Sequence, residues 1–138
     1  MTLSPTSEPM VDERTAAIFT ELSRPIHEGH IRSRKQGTRM VDYVPWHCLA
    51  RHLHHRCPMG WDWSLEEVSE MGGWVFVRGT LTVRTPDGPF TYSAVSSEPL
   101  NNPDHKGAPP IETAASRALA RAAALAGLGI HLWEAPGK

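Results

Sequence analysis

The sequence has two cysteines, three lysines and no surplus of positive charge. Each scarcity excludes something. Cys48 and Cys57 are too few for a disulfide framework, so a reducing compartment is expected. A formal net charge of -1 over 138 residues rules out a generally cationic nucleic-acid coat, and any such surface must be a local patch. No apolar run approaches the length that spans a bilayer. The N-terminus carries Glu8, Asp12 and Glu13 and no apolar core, unlike a signal peptide. A soluble, cytoplasmic protein with no membrane partner is therefore expected. There is no Gly-rich phosphate loop, no GxSxG and no HExxH, so no enzyme class and no cofactor finds support.

What is present suffices for one domain. Hydrophobic residues make up 40% of the chain, enough for a core, and twelve prolines and eleven glycines punctuate it. Residues 1–10, polar and Pro-containing, read as a flexible leader, with a single domain over 11–138. The organising stretch is IETAASRALARAAALAGLGIHLW, from Ile111 to Trp133. Ala, Leu and Arg predict a helix over Thr113 to Ala126, with Pro109 and Pro110 before it and Gly127 at its left-handed stop. Ala115, Leu119, Ala122 and Ala126 form a narrow apolar stripe, with Arg117 and Arg121 on another face. Taken alone, two such arginines read as solvated surface.

Asp12 caps a predicted helix to about Ser23, with Val11, Ile18, Phe19 and Leu22 as its apolar side. Next comes IRSRKQGTRMVDYV, a basic hairpin turning at Gly37. Arg32, Arg34, Lys35 and Arg39 fall within it, and no acid stands between Glu28 and Asp42. Eleven of the fourteen basic residues are Arg, whose planar fork suits phosphate. Pro45 opens a second helix running to about Arg56, with Trp46, Leu49, Ala50 and Leu53 as its stripe. WDWSLEEV reads as a strand that breaks phase at Glu66-Glu67, as at a bulge. After a Gly72-Gly73 turn, WVFVRGTLTVR alternates cleanly, with Val75, Val77, Leu81 and Val83 on one side. Gly79 in its middle signals a bend or close packing. Pro86-Asp87-Gly88 turns the chain into a third strand, Phe90 to Ser97. Glu98 to Pro110 reads as a long polar loop, with Lys106 near its end available to phosphate. The expected class is α+β: an antiparallel β-meander (a β-β-β-α core) packed on a long Ala/Arg helix, flanked by the N-terminal helix and the basic hairpin.

Two clusters carry metal-ligand residue types. The second helix holds His47, His52, His54 and His55 near Cys48 and Cys57, but one helix cannot converge four tetrahedral ligands, so no metal is expected. Asp62, Glu66, Glu67 and Glu70 lie close enough in sequence to hold Mg²⁺ for a nuclease, although adjacent acids usually form a solvated strand edge. Trp61, Trp63 and Trp74 are weighted as core rather than as base-stacking platforms.

The order of these pieces resembles a known family. YVPWHCLARHL with the following GWDW, then WVFVRGTLTVRTPDG, then ETAASRALARAAALAGLGIHLW, resemble the single-strand DNA annealing proteins of the RAD52 superfamily, in the flavour of its DdrA-like short bacterial and phage branch. The likeness spans Ile31 to Trp133. It implies a non-catalytic protein, a ring-like homo-oligomer and a basic groove that holds single-stranded DNA by its backbone while the bases pair. By that resemblance Arg34 matches a family DNA-contacting arginine, Tyr43 a tyrosine that opens the next segment and Arg121 a basic residue of the core helix, and Ala120 replaces a Lys that often precedes the last of them. The expected DNA-binding set is Arg32, Arg34, Lys35, Arg39, Tyr43, Lys106, Arg117 and Arg121. A metal-dependent nuclease and a structural oligomer without nucleic-acid activity are the alternatives.

Overall fold

The structure, a computed structural model, describes residues 11–36, 38–101 and 109–133. The leader, Gly37 and Lys106 lie outside the described residues. The elements run α1 (Glu13–Leu22), β1 (Arg32–Gln36), β2 (Arg39–Tyr43), α2 (Trp46–Arg56), β3 (Trp61–Met71), β4 (Trp74–Thr85), β5 (Gly88–Pro99) and α3 (Pro110–Leu125). β1 and β2 form an antiparallel hairpin of their own, while β3, β4 and β5 make an antiparallel meander in sequence order. This is the α+β arrangement expected.

The meander follows from its side chains and turns. Val75, Val77, Leu81 and Val83 are all buried on the inner face of β4, as the period of two requires. Gly72 and Gly73 both take positive φ, +59° and +81°, the twist a two-residue hairpin needs. The β3–β4 register slips between Leu65 and Glu67, so the bulge falls on Glu66 as the broken alternation predicts. Trp63 lies flat on Gly79, where an added Cβ would stand 2.5 Å from ring atom Cζ2.

α3 lies across the inner face of β4 and β5. Its fully buried positions are alanines (Ala114, Ala118, Ala122 and Ala123), which keep the helix close to the sheet. Ile18 and Leu22 of α1, Leu49 and Leu53 of α2, and Leu81 and Val83 pack with Leu119 and Leu128 into the main core. Val75, Val77, Ala114 and Ala118 form a second cluster, and Trp63 touches both. Asp12 caps α1, its carboxylate accepting from Arg14 N at 2.8 Å. At the other end of α1, Arg56 of α2 donates Nη1 to the carbonyls of Glu21, Leu22 and Arg24, at 3.0, 3.3 and 2.7 Å. Gly127, at φ +108°, ends α3, and Leu128 N donates back to Ala123 O at 2.8 Å.

Several expectations need correction. Val11 precedes α1 and is exposed, whereas Thr15 is buried in that helix. Pro45 is the N-cap of α2 rather than its first residue. Trp46 is 58% exposed, and the buried residues of α2 are Leu49 and Leu53. Trp74 also stands out on the sheet's outer face, at the closing pair with Met71. Glu98 does not open a loop: β5 continues to Pro99 and buries it. On α3, Ala115 is half-buried and Ala114 and Ala118 take the innermost line.

Candidate nucleic-acid interface

The hairpin register decides which of its cations share a face. Arg32 pairs with Tyr43, Arg34 with Val41 and Lys35 with Met40. Cross-strand partners lie on one face and neighbours along a strand alternate. Arg32, Arg34, Arg39, Val41 and Tyr43 therefore share a face, and Lys35 takes the other with Ser33, whose hydroxyl donates to Asp42 at 2.7 Å. The Arg34 guanidinium carbon stands 5.3 Å from the centre of the Tyr43 ring, a cation–π arrangement that fixes the arginine while leaving its donors available. Among the described residues, the buried Nε of Arg34 has no hydrogen-bond partner.

α3 brings its two arginines to the same place, from more than seventy residues away. Arg117 is not solvated surface. It is half-buried and paired with Glu98, itself 2% exposed, across the α3–β5 contact. Burial pulls the Arg117 guanidinium below its usual pKa, the charge of Arg34 adds to this, Glu98 opposes it and Arg121 again lowers it. Arg34, Glu98 and Arg121 thus all stand close enough to Arg117 to act on its charge. Arg121, one turn further along, is exposed and donates Nη1 to the Val95 carbonyl of edge strand β5 at 2.9 Å.

Between hairpin and helix lies a cleft of about 190 Å³, lined by Arg34 and Tyr43 on one side and by Arg117 and Arg121 on the other, with Leu128 at its apolar base and Trp133 beside it. Four of the eight expected residues thus converge. Arg32 and Arg39 share the inward hairpin face but do not line the cleft, and Arg32 turns back to donate Nη1 to Gly29 O at 2.7 Å. Lys35 points from the opposite face, and Lys106 lies outside the described residues. Sequence reasoning missed Glu98, hidden by assignment to a loop, and Trp133. The signal for Trp133 was there: Gly127 and Gly129, both at positive φ, turn the chain back at the helix end.

The other candidate constellations have different geometry. Glu66 takes Arg78 and Thr80 as partners, and Asp62 takes Arg84, so these carboxylates answer the cations of β4 rather than one shared point. Among the described residues, no three His, Cys, Asp or Glu side chains gather as metal ligands do. His52 instead meets His30, Nε2 to Nδ1 at 3.0 Å, tying α2 to the turn that leads into β1. Burial pushes His52 down to about 4, with the charges of Arg56, His30 and His55 acting in the same direction. Cys48 and Cys57 are free thiols, and burial raises that of Cys57 to about 11, which leaves it protonated and unreactive at neutral pH.

No protein-family model matches the chain. A curated protein of Arabidopsis thaliana, "DNA repair RAD52-like protein 1, mitochondrial", is 27% identical over 123 residues, covering 86% of this chain and 67% of its own length. That likeness, over most of the chain, supports a place in the RAD52-like superfamily.

Proposed function

We propose that this protein binds single-stranded DNA along the cleft between the β1–β2 hairpin and α3, and promotes annealing of complementary strands in DNA repair and recombination. The observation that carries the reading is the convergence of Arg34, Arg117 and Arg121 on one cleft in a chain of net charge -1. Phosphate contacts supply affinity without reading sequence, and the buried Nε of Arg34, without a partner among the described residues, is a donor suited to an anion. Annealing requires no bond to be made or broken in the protein. It requires that backbone charge be neutralised while pairing edges stay free. The name of the plant relative points to the same process.

The protein acts, in this reading, as a ring-like homo-oligomer of the DdrA-like short type. β3 and β5 are edge strands of a three-stranded sheet, and edges of that length call for partners or protection. A ring also multiplies a weak site along one strand. The two free thiols fit a reducing compartment, and the cytoplasm is the proposed location.

The test is binding of labelled single strands by wild type, Arg34→Ala and Arg121→Ala, with native mass measured on the same samples. Each substitution is expected to cost about 1.5–3 kcal/mol, as for a hydrogen bond to a charged group. Each should also lower the salt slope by about one. Arg117 is a poorer probe, because its loss removes the cation beside buried Glu98. Wild-type affinity in both variants would remove the cleft from the function. Loss of assembly in Arg121→Ala would make Arg121 an interface residue instead. Cutting of the strands would reinstate the nuclease.

A further inference from the structure

Trp133 is the unexplained member of the cleft. It lines the same space as Arg34, Tyr43 and Arg121, yet 51% of its surface is exposed. Its position is fixed rather than incidental. Leu128 N and Gly127 N close the end of α3 onto Ala123 O and Ala124 O at 2.8 and 2.9 Å. The short turn Ile130–Leu132 follows, and Trp133 N donates to Ile130 O at 2.9 Å. Leu128, buried in the core, anchors this turn from below. The fold thus holds a large flat apolar ring half in water beside three guanidinium groups.

A ligand that suits such a site must carry both negative charge and a flat apolar face. One face of the Tyr43 ring is already taken by the Arg34 guanidinium. We propose that Trp133 is a base-stacking residue: its indole takes the face of one nucleobase of the strand whose phosphates the arginines hold. Resting on the single-strand reading above, this adds a contact to the bases, which the arginines do not make. Every base has a π-face, so the contact is tolerant of sequence and leaves the pairing edge of the stacked base open.

The experiment compares a base-bearing single strand with an abasic strand of the same length and charge, using wild type, Trp133→Phe, Trp133→Leu and Arg34→Ala. Leu preserves an apolar cover over the turn but cannot stack, whereas Phe does both. Wild type should bind the base-bearing strand more tightly than the abasic one. Trp133→Leu should lose about tenfold on the base-bearing strand and nothing on the abasic strand, with an unchanged salt slope. Trp133→Phe should keep most of the affinity, and Arg34→Ala should weaken both strands alike. Equal binding of both strands by wild type would overturn the stacking role while leaving the phosphate cleft intact. So would a Trp133→Leu variant that matches wild type, or one that loses equally on both strands. Failure of wild type to bind either strand would overturn the single-strand reading and this contact with it.

Discussion

Replacing Gly79 by Ala should destabilise the protein, and chiefly because of Trp63. Gly79 sits in the interior of β4 with ordinary extended φ, so alanine fits its backbone. In a strand interior glycine is the worse residue by about 0.5–1 kcal/mol, and on that ground alone Gly79→Ala would stabilise. The new Cβ, however, would stand 2.5 Å from Cζ2 of Trp63, closer still to Cη2, and 3.1 Å from Ser64 O. Carbon atoms pack at about 3.5–4.0 Å, so the indole must withdraw by about 1 Å. Trp63 touches both core clusters, and the one beneath α3 supports the helix that carries Arg117 and Arg121. Overpacking of this kind costs about 1–3 kcal/mol, which leaves a net loss of up to roughly 2.5 kcal/mol after the backbone gain. Thermal unfolding of wild type, Gly79→Ala, Trp63→Leu and the double variant measures it, at about 3–5 °C per kcal/mol for a chain of this size. With leucine at 63 the same alanine should be neutral or stabilising, giving a coupling energy of at least about 0.5 kcal/mol. Equal effects of Gly79→Ala in both backgrounds would refute the reasoning, as would a stabilised single variant.

Two further outcomes are expected. Arg56→Lys keeps the charge at the end of α1 but cannot repeat three carbonyl bonds, and should lower the urea midpoint by an amount equivalent to about 1.5–3 kcal/mol with an unchanged m-value; unchanged stability would mean that charge alone matters. Folding depresses His52 from its ordinary 6.5 to about 4, so the native state binds fewer protons than the unfolded chain in that window. The contribution of His52 to stability is therefore complete above pH 6.5 and lost as pH falls toward 4, and urea midpoints should show a shallower pH slope over that range in His52→Asn than in wild type.

Much of this was legible in the chain because it is local. The alternation Val75, Val77, Leu81, Val83 names the inner face of β4 without reference to any neighbour, and the broken phase at Glu66 names the bulge. Gly72-Gly73 and Gly127 declare a turn and a helix stop through backbone geometry alone. The site was legible only in part because it is not local. Alternation would have separated Lys35 from Arg34, but only docking against α3 reveals that the arginine face is the inner one. Trp46 matches a helical stripe and still faces water, while Leu49 and Leu53 of the same stripe are buried. Glu98 looked like loop because a carboxylate inside a strand makes sense only with Arg117 opposite.

The alanine face of α3 has a genetic consequence. Ala114, Ala118, Ala122 and Ala123 have no exposed surface. A single nucleotide change in an alanine codon yields Val, Thr, Ser, Pro, Asp, Glu or Gly. Six of these are larger than alanine and would have to be packed where no surface is exposed. The seventh, glycine, costs a helix interior about 1 kcal/mol. The stretch that looks most monotonous on paper therefore has almost no neutral neighbours in sequence space, and the arginines of the cleft are carried on one of the least mutable scaffolds in the chain.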